Sequence, residues 1–113
     1  MSQPKPPSSR QRVYTLLVKV GRKNGDGLPK GSTGGALLTY ASGADESEAV
    51  RETVAILKRA DLALLDVTGY GTLADREAEG ELIDGEERGL MVRALEENSV
   101  VIAQMTPFFD GAS

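Results

Sequence analysis

GALLTYASGADESEAVRETVAILKRADLALLDV, residues 35–67, is the stretch that decides the fold. Its first eight residues, Gly35 to Ser42, with Leu37, Leu38, Thr39 and Tyr40 at their centre, read as a strand paired with the one before it. Asp45 follows as an N-cap, with Glu48 three residues on in the pattern of a capping box, Asp standing in for the usual Ser or Thr. Val50, Thr53, Val54, Leu57 and Ala60 then recur at helical spacing, joined by Ile56, while Arg51, Glu52, Lys58 and Arg59 fall off that stripe. Lys58 and Arg59 also sit where the helix dipole favours cations. Leu62 to Val67 is apolar on both faces, as a strand near the centre of a sheet would be. Strand, helix and strand in this order form a crossover unit, so the two strands run parallel if they share a sheet.

Working outward, Arg12 to Val20 alternates as a strand. Tyr14, Leu16, Val18 and Val20 lie on one face, and Val13, Thr15, Leu17 and Lys19 on the other. Residues 21–35 hold six glycines and Pro29 and read as a long hairpin loop. Beyond the crossover unit, Thr68-Gly-Tyr-Gly-Thr72 reads as a break or bend. Residues 71–78 are open between an edge strand and an acidic loop. A second helix is expected from Asp84, with Glu87 at the matching capping position, Leu90, Met91, Ala94 and Leu95 buried, and Asn98 as terminator. Val100 to Met105 is the last strand, stopped by Pro107, with Phe108 and Phe109 packing back on the body.

The expected fold is therefore α+β: a two-layer sandwich with two helices on one face of a four- or five-stranded, mainly antiparallel sheet. The element order is ββαβαβ, or ferredoxin-like with an extra N-terminal strand if residues 71–78 are extended. Residues 1–11, with their prolines, serines and basic groups, read as a disordered arm, and residues 12–113 as one domain. No run approaches the ~18 apolar residues of a membrane span, and no secretory h-region opens the chain, so a cytoplasmic protein is expected.

Charge is divided along the chain. Residues 1–33 carry seven of the 13 Lys and Arg and one acid, Asp26, whereas residues 34–113 carry 16 of the 17 acids. Such a split suits docking of a basic segment on an acidic surface, its own or a partner's. The chain has no His and no Cys. That removes imidazole acid–base chemistry, Ser-His and Cys-His nucleophiles, and zinc or haem ligation through those residues. No cofactor or metal is implied; the acids from Asp75 to Glu87 lack the Asp-x-Asp-x-Asp-Gly core of a calcium loop. Whether the protein is an enzyme stays open.

Two places could hold a site. Arg22, Lys23, Lys30, Ser32 and Thr33 on the Gly-rich loop could wrap an anion. The string from Gly27 to Thr33 nevertheless fails the phosphate-loop motif, because Lys30 precedes Gly31 and a strand, not a helix, follows. Asp66 and Tyr70 at the end of the third strand form the minimal acid–base pair available without His, near Tyr40. Burial of Asp66 in an apolar strand would raise its pKa. Tyr14 and Tyr40, on adjacent strands, could stack a base, but the acidic balance, with a sequence pI of 4.8, argues against nucleic acid as the partner. The favoured function is a small soluble binding or regulatory module that acts through protein–protein contact as a homodimer, its apolar Val13 and Leu17 positions facing away from the helices. The alternative is a small-molecule binding domain or His-free enzyme with a pocket at Asp66 and Tyr70.

Overall fold

The computed structural model describes residues 11–109. The arm expected over residues 1–11 falls outside that range except for Gln11, whose amide donates to Ser42 Oγ (3.1 Å) and Asn98 Oδ1 (2.7 Å).

Four strands form one antiparallel sheet: β1 (Arg12–Val20), β2 (Ser32–Gly43), β3 (Leu64–Thr72) and β4 (Val100–Phe109), in the order β3-β1-β2-β4. Three helices accompany them: α1 (Glu46–Arg59), α2 (Leu73–Ala78) and α3 (Gly85–Glu96). The α+β class and the antiparallel sheet are as the sequence predicts. β2 and β3 both pair antiparallel with β1, so they run in the same direction, as the crossover unit requires. The element order is ββαβααβ and the central pair is the β1–β2 hairpin, an arrangement that does not confirm a ferredoxin-like fold. Residues 73–78, expected as strand or loop, are helical. Thr72 Oγ1 accepts from Asp75 N while Asp75 Oδ2 accepts from Thr72 N, a complete capping box that starts α2.

Residues directly opposite one another in a ladder share a face, so the register fixes what each face buries. Leu16 opposite Thr39 and Val18 opposite Leu37 lie on face A with Val67. There Ala49 packs with Leu16 and Ala41, and Leu57 packs with Val18, Val20 and Leu37. α1 and face A make the expected two-layer sandwich. Val13, and Tyr40 opposite Thr15, lie on face B; with Val101 they pack against Met91 and Ala94 of α3. The second helix therefore differs from expectation by lying on the reverse face, over the Val13–Tyr40 end only. The odd-numbered apolar positions of β1 that were expected to face a dimer mate are divided: Val13 is under α3, and Leu17 is half-buried on the uncovered part of face B.

β3 is an edge strand, not a central one, and Leu65 is exposed at a register irregularity between Lys19 and Val20. The strand continues through Thr68-Gly-Tyr-Gly-Thr72. At Gly71 φ is +86° and a Cβ would lie 2.6 Å from Asp75 Oδ2, so glycine makes room for the cap of α2. β4 runs past Pro107 to Phe109; on an edge strand the missing N–H is tolerated. Its Phe pair is half-exposed and does not fold back on the body.

Both expected N-caps form: Asp45 Oδ1 accepts from Glu48 N and Asp84 Oδ1 from Glu87 N, each at 2.8 Å. Neither is a reciprocal box. Glu48 instead accepts from Ala44 N, and the Glu87 side chain points into face B. Asn98 takes φ +47° just after α3, the left-handed terminator expected of it.

Candidate functional site

The most developed polar constellation is on face B, where α2 and α3 meet the sheet. Arg76, on the second turn of α2, has a side chain only 11% exposed. Its Nη1 donates to Thr15 Oγ1 (3.1 Å) and Glu87 Oε1 (3.0 Å), and its Nε and Nη2 donate to Glu81 Oε1 (3.0 and 2.9 Å). Tyr40, fully buried, donates its hydroxyl to the same Glu87 Oε1 at 2.5 Å. A cleft of about 310 Å³ between Tyr40, Arg76, Glu87, Leu90 and Gln104 opens beside this network. A second, of about 290 Å³, adjoins it through Leu38 and Arg76 and reaches Leu17 and Tyr70.

Electrostatics make this a strut, not a proton relay. Burial pushes the Tyr40 hydroxyl well above the ordinary tyrosine range, and the hydrogen bond to Glu87 pushes it further, so it stays protonated. Burial alone would lower the Arg76 guanidinium, but the bonds to Glu81 and Glu87 outweigh it, and its pKa is raised. Among the described residues no buried side-chain nitrogen or oxygen lacks a hydrogen-bond partner. The network pins α2 and α3 to the sheet, and its polar atoms are committed to one another.

The Gly-rich loop is built around an internal anion. Asp26 accepts from Arg22 Nε (2.9 Å), Lys23 N (2.8 Å) and Leu28 N (2.9 Å). The Arg22 guanidinium, then the two backbone amides, lower the Asp26 carboxyl to about 2. Arg22 Nη1 also donates to the Ser32 carbonyl (2.6 Å) and Ser32 Oγ (3.1 Å), while Ser32 Oγ donates to the Pro29 carbonyl. Leu28 anchors the loop in the core with Val18, Val20, Leu37 and Leu57. Of the five loop residues expected to meet an anion, Arg22 and Ser32 are therefore used inside the loop. Thr33 donates to the Phe108 carbonyl, Lys23 faces Asp61 at 3.4 Å, and Lys30 is exposed.

The family model described as Domain of unknown function (DUF8846) matches residues 13–109, from β1 to the end of β4. The chain belongs to that family. No curated protein and no solved structure matches it.

The family match thus spans the whole sheet and both face-B helices, and leaves their role to be argued from geometry. Asp66 and Tyr70 lie on face B but both are exposed; Tyr70 lines the shallow cleft with Leu17 and Leu38, and Asp66 lines none of the described clefts. Asp66 is not in the apolar surroundings expected of it, because β3 is at the edge. Tyr14 and Tyr40 are on opposite faces, since Tyr14 pairs with Ala41 and Thr15 with Tyr40, so they cannot stack on one base. Arg76, Glu87, Glu81 and Thr15 are not among the site residues expected from the sequence, where Glu87 reads only as a capping partner. The signal for α2 was Thr72 with Asp75 three residues on, a capping pair hidden by Asp in the place of Glu.

One further concavity, of about 610 Å³, runs between α2, α3 and the start of β1 and is lined by Val13, Leu73, Met91, Val92 and Leu95 with Arg12 and Arg88 at its rim. Among the described residues no group of His, Cys, Asp or Glu could hold a metal ion, and no helix is long and apolar enough to cross a membrane.

Proposed function

We propose that this protein is a small cytoplasmic binding module that acts through protein–protein contact and works as a homodimer. One observation carries this reading: the part of face B that α2 and α3 leave uncovered bears Leu17 and Phe108, with Leu38 and Tyr70 at the border of those helices, and Tyr70 and Phe108 are 46% and 41% exposed. Apolar side chains grouped on one uncovered face favour burial against a macromolecule. The neighbouring cleft supports the same reading, because its one cation, Arg76, is already engaged by Glu81, Glu87 and Thr15 instead of facing an empty centre. The acid–base alternative at Asp66 and Tyr70 has no enclosed cavity behind it.

Light scattering on a sizing column, across protein concentration and in low and high salt, tests the homodimer. A mass of twice 12.0 kDa is expected. A monomer at every concentration and ionic strength refutes it.

A further inference from the structure

The two edges of the sheet are guarded unequally. The β3 edge carries exposed Asp66, slips in register between Lys19 and Val20, and has the Glu46 carboxylate lying against Gly69. Charge and irregularity of this kind keep an edge from taking on another strand. β4, the opposite edge, runs ten residues from Val100 to Phe109 without one charged side chain. Among the described residues, four of the nine large apolar side chains that stand exposed are on it: Ile102, Met105, Phe108 and Phe109.

These side chains are on both faces of the sheet. Ile102 opposite Thr39 and Met105 opposite Leu37 lie on face A, and Phe108 opposite Gly34 lies on face B. A protein docked on one face would leave the other in water, whereas a strand added beside β4 flanks both at once. The backbone is open to such a strand. Ser42 N donates to the Ser99 carbonyl (3.1 Å), so by alternation Tyr40, Leu38 and Ala36 turn their backbone groups toward β4, opposite Val101, Gln104 and Thr106. Val100, Met105 and Pro107 then turn theirs to the open side, where Pro107 alone offers no N–H.

The strand that fits is β4 itself. With Ile102 set antiparallel to Met105 of a second copy, Val100 meets Pro107 and Val101 meets Thr106. Face A then meets face A and face B meets face B along the ladder, because the extra residue at the Leu38–Thr39 irregularity, Ala103, falls on the two-fold axis. The apolar pair Ile102–Met105 forms twice, and no like charges oppose one another, since the strand has none.

We infer that β4 is the self-association edge: two copies pair β4 antiparallel to β4 and join their sheets into one of eight strands. This inference rests on the homodimer reading and specifies its interface, leaving the uncovered part of face B in both copies to the contacted protein. Pro107 ends the ladder, and the two-fold axis closes the assembly at two copies.

The test uses the full chain, with circular dichroism to show that each variant folds and light scattering over a dilution series to give the dimer Kd. Ile102→Lys with Met105→Lys sets like charges opposite one another and raises the Kd ~10-fold or more. Ile102→Lys with Met105→Glu sets opposite charges in the same places and returns the Kd to within a few-fold of the parent. Thr68→Arg, on the bare part of face B, leaves it unchanged. The Met105 amide, which faces the open side, exchanges with solvent more slowly as the dimer fraction rises. A parent dimer that tolerates the Lys pair, or that is lost on Thr68→Arg alone, overturns this interface while leaving the homodimer intact. A monomeric parent overturns both.

Discussion

Replacing Arg76 with Met removes the hub that joins α2, α3 and the sheet. Three contacts are lost. The bond to Glu87, whose side chain is 25% exposed, is charge-assisted and worth about 1.5–3 kcal/mol. The bonds to Glu81, 41% exposed at the rim, are screened and worth about 0–1 kcal/mol. The bond to buried Thr15 adds about 1 kcal/mol. Because the terms share one side chain they are not additive, and Met regains part of the packing of the aliphatic stem, so the expected loss is about 3 kcal/mol. In urea unfolding this lowers the midpoint by about 2 M at a slope of about 1.5 kcal/mol per molar. Much of the loss arises from leaving Glu87 charged beside Tyr40 with no cation. Glu87→Gln in the Arg76→Met background should therefore cost nothing further or restore about 1 kcal/mol, whereas Glu87→Gln alone destabilises. A loss below about 1 kcal/mol for Arg76→Met, or strictly additive effects of the two substitutions, would refute the strut.

Gly34→Ala tests the tight junction of loop and sheet: its Cβ would lie 2.3 Å from the Val20 carbonyl oxygen, which is backbone and cannot turn away. A loss of about 2 kcal/mol or more, read as a fall in Tm, is expected, and an unchanged Tm would mean the junction opens freely. Asp26 gives a pH signature. Its folded pKa of about 2 lies below the 3.8 ordinary for an aspartate, so its contribution to stability is complete above that ordinary value and is lost as pH falls through the folded pKa. The stability gap between the parent and Asp26→Asn should therefore be constant from pH 5 upward and shrink between pH 4 and 2; a gap that does not change over that interval contradicts the assignment.

Local signals determined much of this molecule. β1 runs from Arg12 to Val20 as its alternation predicts, α1 follows from a capping residue and an apolar stripe, and Asn98 ends α3, because each depends on residues within a few positions of one another. The absence of His and Cys by itself bounds the chemistry. Other features depended on distant partners. The apolar run Leu62–Val67 reads as central, yet β1 is flanked by β2 and β3 and leaves β3 at the edge, a choice that pairing across 50 residues decides. Glu87 has the spacing of a capping partner, but the Arg76 guanidinium and the Tyr40 hydroxyl, brought over it by folding, outcompete its own helix terminus for the carboxylate. The anion site expected in the Gly-rich loop holds the loop's own Asp26, which sequence spacing alone could not aim. The sequence by itself determined which segments become strands and helices and how charge divides along the chain. Only the tertiary structure decided which face of the sheet each helix covers, and so which surface stays bare, because that follows from strand order and register, which no local pattern encodes.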